Sequence, residues 1–164
     1  STKGFLERVD NLLAGRDVAP RYTNWSAGPW LPEAFAADLH ATNALRLSLE
    51  LQTTLQAFDD YPVSMGASIA AFCRAEIQQK SLLLEDDASA HKNRLGRSYV
   101  ALDISLAALR LMHAEGGVYF RGLKYAADSV PLLSSAEDQI LCRNLTDGGY
   151  EDFDVSMVVN RARA

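Results

Sequence analysis

Residues 2–14 place Phe5, Leu6, Val9, Leu12 and Leu13 along one stripe of a short amphipathic helix, with Ser1 or Thr2 as cap and Gly15 as stop. A second periodic stretch begins at Pro32. Proline suits the first helical position because its missing N–H would have no partner there, so the pattern predicts a helix running to Ala57. Within it, Leu45, Leu47, Leu49 and Leu51 alternate with Arg46, Ser48, Glu50 and Gln52, which is the period of a strand. The surrounding Ala, Leu, Glu, Gln and Arg, and the scarcity of β-branched residues, decide for helix. At about 100° per residue, Phe35, Leu39, Leu45 and Leu49 form one stripe, and Leu47, Leu51, Leu55 and Phe58 a second, roughly opposite. A helix with two apolar faces is either central in its own bundle or shared with another subunit.

Asp59, Asp60 and Pro62 punctuate the chain. A third helix is predicted over 63–84 with Ile69, Phe72, Cys73 and Ile77 inward, followed by the acidic turn Glu85-Asp86-Asp87, which suits the positive end of the next helix. In that fourth helix, 87–115, Leu95, Tyr99, Leu102, Leu106, Leu109 and His113 recur by three and four, the cleanest period in the sequence, and Gly116-Gly117 ends it. Residues 118–125 suit a short strand or a loose helix. Pro131 to Leu145 reads as helix, with Ser135 three residues before Asp138. After Gly148-Gly149, the alternation of Phe153, Val155, Met157 and Val159 with Asp154, Ser156, Val158 and Asn160 supports a strand, although Asp154 equally suits the cap of a last helical turn. The expectation is a mainly α fold: one domain over 1–164, a bundle of about five helices, with a short β element or extended arm near the C-terminus. Its edges are an N-terminal helix and aromatic loop (1–31) and a C-terminal arm (149–164).

Composition supports a packed core, since 48% of residues are hydrophobic and 23% charged over a length that suits one domain. With 21 acidic against 16 basic residues the formal charge is -5, which disfavours binding to a phosphate backbone. The basic group Lys92, Arg94 and Arg97 follows the acids 85–87 directly and reads as a solvated helix start. Two cysteines, Cys73 and Cys142, both in apolar surroundings, read as buried free thiols of a reducing compartment. No apolar run approaches the ~20 residues that span a bilayer and no leader pattern opens the sequence. The expected address is the cytoplasm of a bacterium or an infected host cell, with no membrane partner.

Candidate chemistry fails on physical grounds. His40, His91 and His113 lack partners at metal-ligand spacing, so neither metal nor cofactor is expected. Ser89-Ala-His-Lys92 lacks the companion motifs of penicillin-recognising enzymes. The glycines at 117 and 122 mimic a phosphate loop, but Leu123 stands where its lysine belongs. Asp147, Glu151, Asp152 and Asp154 lack the ligand order of a calcium loop. The apolar neighbours of Cys73 suppress its thiolate.

The remaining features point to binding. Tyr22, Trp25 and Trp30 with Arg21 have the composition of an interaction hot spot. Leu47, Leu51 and Leu55 offer a second helical face, and Phe153, Val155 and Met157 a tail that could add to another subunit. The expected function is a non-catalytic helical subunit that self-associates or docks in a larger complex, such as a structural virion component or accessory protein. The alternatives are a small-ligand module with Trp25 and Trp30 as a lid, and an enzyme using His113 with Glu115, Tyr119 or Arg121.

Overall fold

The computed structural model describes residues 2–20, 31–42, 49–85, 94–147 and 155–164. Tyr22, Trp25, Trp30, Leu45, Leu47, His91, Gly148, Gly149 and Phe153 lie outside them.

The described residues form eight α-helices: α1 (Thr2–Leu13), α2 (Pro32–His40), α3 (Leu49–Gln56), α4 (Val63–Glu85), α5 (Arg94–Glu115), α6 (Ala126–Ser129), α7 (Ala136–Asp147) and α8 (Val155–Arg163). Tight 3-10 turns occupy Leu123–Tyr125 and Val130–Leu132. No strand occurs among the described residues, so the fold is mainly α with more helices than periodicity suggested.

Helix ends follow local chemistry. Gly15 and Gly117 adopt left-handed backbone, φ 67° and 65°. At the first, the N–H groups of Gly15 and Arg16 donate to Leu12 and Asn11; at the second, those of Gly117 and Val118 donate to Ala114 and His113. This pairing absorbs the last carbonyls of α1 and α5. A side chain at Gly15 would also collide with the Ser64 carbonyl and the Ser68 hydroxyl, so glycine there lets α1 end against α4. Ser135 caps α7, its hydroxyl accepting from the Asp138 N–H at 3.1 Å.

The antiparallel pair α4–α5 organises the rest. Its direction is fixed by contacts in opposite order: Arg110 lies over the Phe72 ring, and Lys80 pairs with Asp103 at 2.9 Å. Helix α8 packs on both members, α7 on α5, and α1 on α4. Every residue from Ile104 to Ala114 is therefore buried. Each fully covered aliphatic side chain contributes about 1.5–3 kcal/mol. The central helix is thus α5, covered all round from Ile104 to Ala114.

Three expectations change. The helix begun by Pro32 stops at His40, where the Ala41 N–H closes on Ala37 and the Thr42 hydroxyl turns back to the Asp38 carbonyl at 2.6 Å. The helix is broken at Ala41 and Thr42, before α3, so the two stripes do not share one continuous rod. Leu49, assigned to the stripe of Phe35 and Leu39, is 79% exposed, whereas Leu55 packs on the core and Phe58 is fully buried. Residues 118–125 form an irregular segment and a 3-10 turn rather than a strand. The tail from Val155 is helix rather than a strand or extended arm: Val155, Val158, Val159 and Ala162 meet the core at helical spacing.

Candidate functional site

Ion pairs and buried polar groups act as fasteners around the core, and an open cleft lies to one side. Arg110, buried on α5, directs its Nε and one Nη to the Glu33 carboxylate on α2, and that Nη also donates to the Val18 carbonyl at 2.8 Å. Burial alone would lower the Arg110 pKa, but Glu33, together with Cys73 and Tyr61, outweighs it and the guanidinium is held charged. Arg161 on α8 donates to both Asp138 oxygens, at 2.6 and 2.9 Å, and to Glu115 at 2.7 Å. Arg74 adds a second pair to Glu115 and donates to the Ala162 carbonyl at 3.2 Å. These groups tie α8 to α4, α5 and α7. Among the described residues, no buried side-chain nitrogen or oxygen lacks a partner.

His113 is fully buried between the Leu109 carbonyl, 2.8 Å from Nδ1, and the Ser129 hydroxyl, 2.9 Å from Nε2. The carbonyl can only accept, so Nδ1 carries the proton and Nε2 accepts from Ser129. Burial lowers the imidazole pKa, against the opposing pull of the Leu109 carbonyl and Asp138. Glu115, Tyr119 and Arg121, its expected companions, are engaged elsewhere: Glu115 with the two arginines, Tyr119 with backbone of the 58–60 turn, and Arg121 with Asp38. Both thiols are buried, and burial pushes Cys73 and Cys142 up to about 12.

The open cleft, about 510 Å³, lies between the end of α2, the turn before α4 and the segment after α5. Its size is in the range of ligand pockets. Aromatic rings build its wall. His40 stacks on Tyr119 with centroids 4.9 Å apart, and Tyr61 leans on Tyr119 at 5.0 Å and 56°. The Tyr119 hydroxyl donates to the Phe58 carbonyl at 2.9 Å and lies 3.2 Å from that of Asp60, while His40 Nδ1 is 2.8 Å from the same Phe58 carbonyl. One carbonyl thus anchors two rings. Burial raises the pKa of Tyr119, helped by Asp60 and Asp59, and burial likewise raises Tyr61, so both remain phenols at neutral pH.

Charge in the cleft is unbalanced. Arg121 pairs with Asp38 at 2.9 Å and lies over the Tyr125 ring at 4.7 Å, with Lys124 over the same ring at 5.3 Å. Asp59, Asp60 and Asp128 also line the cleft, and their carboxylates make no ion pair among the described residues. Leu132, 68% exposed, sits on the rim. Such a site can lay a flat or aliphatic group against rings and hold positive charge beside it. Among the described residues no cluster of His, Cys, Asp and Glu is arranged to hold a metal ion, and no helix is long and apolar enough to cross a membrane.

Of the residues expected at a partner surface, the described Leu51, Leu55, Val155 and Met157 do not line this cleft. Leu51 is half-buried, Leu55 packs on the core, Val155 also packs on the core, and Met157 is 49% exposed on α8. The rest of that set lies outside the described residues. Pattern reading passed over Asp59 and Asp60 as punctuation, weighed His40 only as a metal ligand, and did not single out Tyr61 or Tyr125; a run of two acids and a tyrosine beside a proline was the one available signal. Compared with known proteins, the chain matches no family model, no curated protein and no solved structure.

Proposed function

We propose that this chain is a non-catalytic helical interaction subunit that docks a protein partner through the cleft bounded by His40, Tyr61, Tyr119 and Leu132. The observation that carries the reading is the ring-lined cleft whose three acidic residues, Asp59, Asp60 and Asp128, make no ion pair among the described residues, beside an exposed leucine. Aromatic walls with an apolar rim are the composition of binding hot spots. Accessory subunits and structural virion components both suit the description. A cytoplasmic setting would keep Cys73 and Cys142 as the free thiols they are here.

A photo-crosslinking residue in place of Leu132 tests this in cells. The expected result is one discrete adduct, absent when the same residue replaces Ile140, which is exposed on α7. No adduct, or the same adducts from both positions, removes the cleft as the docking site. Light scattering on the purified chain then separates a foreign partner from self-association.

One observation favours a second reading, an enzyme using His113. Ser129 lines the cleft, and its hydroxyl lies against Nε2 of an imidazole whose tautomer is fixed for accepting its proton. The same hydroxyl is 3.2 Å from the Ala126 carbonyl, the ordinary helix contact of a buried serine. A fluorophosphonate probe decides: labelling of Ser129 that disappears in Ser129→Ala supports a nucleophile, and an unlabelled protein removes it.

A further inference from the structure

We propose that the cleft receives the guanidinium of an arginine side chain displayed by the partner; this rests on the docking reading above.

The argument begins with charge. Asp59 and Asp60 are consecutive in the turn before α4, and Asp128 comes from α6, so two separate elements bring carboxylates to one cavity. Arg121 is the one arginine in the lining, and Asp38 already engages it. A neutral or anionic occupant would strip water from three carboxylates and return nothing for it, whereas a cation compensates them.

The walls then choose the kind of cation. Tyr61 and Tyr119 meet at 56°, forming a corner of ring surface beside the turn that carries Asp59 and Asp60. A guanidinium is flat, weakly hydrated and donates five N–H bonds in one plane, so it can lie on a ring while its edge faces carboxylates. An ammonium is a compact, strongly hydrated point that uses a ring face less well. A cation on a ring already occurs at this site, where the Arg121 guanidinium lies 4.7 Å and the Lys124 ammonium 5.3 Å from the centre of Tyr125. The apolar rim at Leu132 suits the aliphatic stem of an arginine side chain. The cavity, about 510 Å³, exceeds a single guanidinium and leaves room for the adjoining backbone of a peptide.

Titration of the isotope-labelled protein with blocked Gly-Gly-Arg-Gly-Gly, followed by amide resonances, tests the assignment. Saturable shifts at Gly117, Val118 and Tyr119 are expected. The citrulline peptide, the same shape without the charge, should bind roughly tenfold or more weakly, and the lysine peptide should fall between them. The double variant Asp59→Asn, Asp60→Asn should weaken the arginine peptide by a similar factor while its thermal melt stays unchanged, since both side chains are exposed. Equal binding of arginine and citrulline peptides, absence of shifts at millimolar peptide, or shifts confined to residues outside the cleft overturns the proposal. Agmatine binding more tightly than the peptide overturns the polypeptide as the source, in favour of a small guanidinium compound. A discrete adduct from position 132 without arginine discrimination removes the guanidinium and leaves the docking site; failure of both removes both.

Discussion

The Arg110 guanidinium and the Glu33 carboxylate face each other across the core, 77 positions apart in the chain, each side chain almost entirely covered. The pair pins the short helix α2 to the centre of α5, and the bond to the Val18 carbonyl extends the clamp to the segment after α1. It also fixes one wall of the cleft, because Ala37 and His40 belong to α2.

Breaking this pair from one side leaves a buried charge without compensation. Arg110→Met should lower unfolding stability by about 3–5 kcal/mol, and Glu33→Leu by a comparable amount. The double variant should recover most of that loss, because it removes both charges together. Urea unfolding of the three variants measures it; additive losses would contradict the pairing.

Stability should fall in mild acid through His113. The unfolded imidazole titrates near 6.5 and the folded one lower, mainly because of burial. The folded state therefore takes up the proton less readily, so the contribution is complete above pH 6.5 and is lost as pH falls below it. The loss is at most about 1.4 kcal/mol per pH unit from this group. Between pH 7 and 5.5, above the range where most carboxylates titrate, His113→Gln should be less stable overall yet show a flatter pH dependence.

The last helix should loosen when its arginine is removed. Arg161 engages Asp138 and Glu115 while only a quarter exposed, and Asp138 above all raises its pKa well above the ordinary arginine value. Arg161→Met should cost about 1–3 kcal/mol, since a charge-assisted fork is lost and the buried Asp138 carboxylate is left without that cation. Hydrogen exchange should accelerate over Val155–Arg163 first, while α4 and α5 stay protected. Uniform acceleration would mean that α8 is integral to global unfolding.

Neither thiol should react in the native protein. Cys73 and Cys142 are buried with pKa values pushed up to about 12, so thiolate at neutral pH is scarce and sheltered. A disulfide-exchange reagent should find no reactive group until denaturant is added, and then two per chain. Rapid native labelling would reveal an opening of the α4–α5 or α5–α7 contact.

Much of the framework is legible from periodicity. The stripes of α1 and α4 and the spacing of Leu106, Leu109 and His113 identify faces that are buried, and Gly15, Pro32, Ser135 and Gly117 mark boundaries by chemistry local to each residue. Where the reading departs from the fold, local signals conflict with partners distant in sequence. Nothing between Pro32 and Ala57 announces a stop at His40; the ring of His40 finds its place on Tyr119, 79 residues later, and its Nδ1 on the Phe58 carbonyl. Alternation after Gly149 resembles a strand, but Val155, Val158, Val159 and Ala162 meet a core already formed by α4 and α5. A charged residue such as Arg110 interrupts any apolar pattern and reads as solvent-facing until its carboxylate partner is known.

The amino-acid sequence by itself determined that the backbone would be helical, because helix-forming residues, apolar spacing of three and four, and capping or stop residues are properties of neighbours along the chain. Only the tertiary structure decided which helix is central, which carboxylates are spent on arginines, and which remain facing a cleft. Those outcomes depend on residues tens of positions apart reaching bonding distance, and burial and ionic pairing acquire their energy only there.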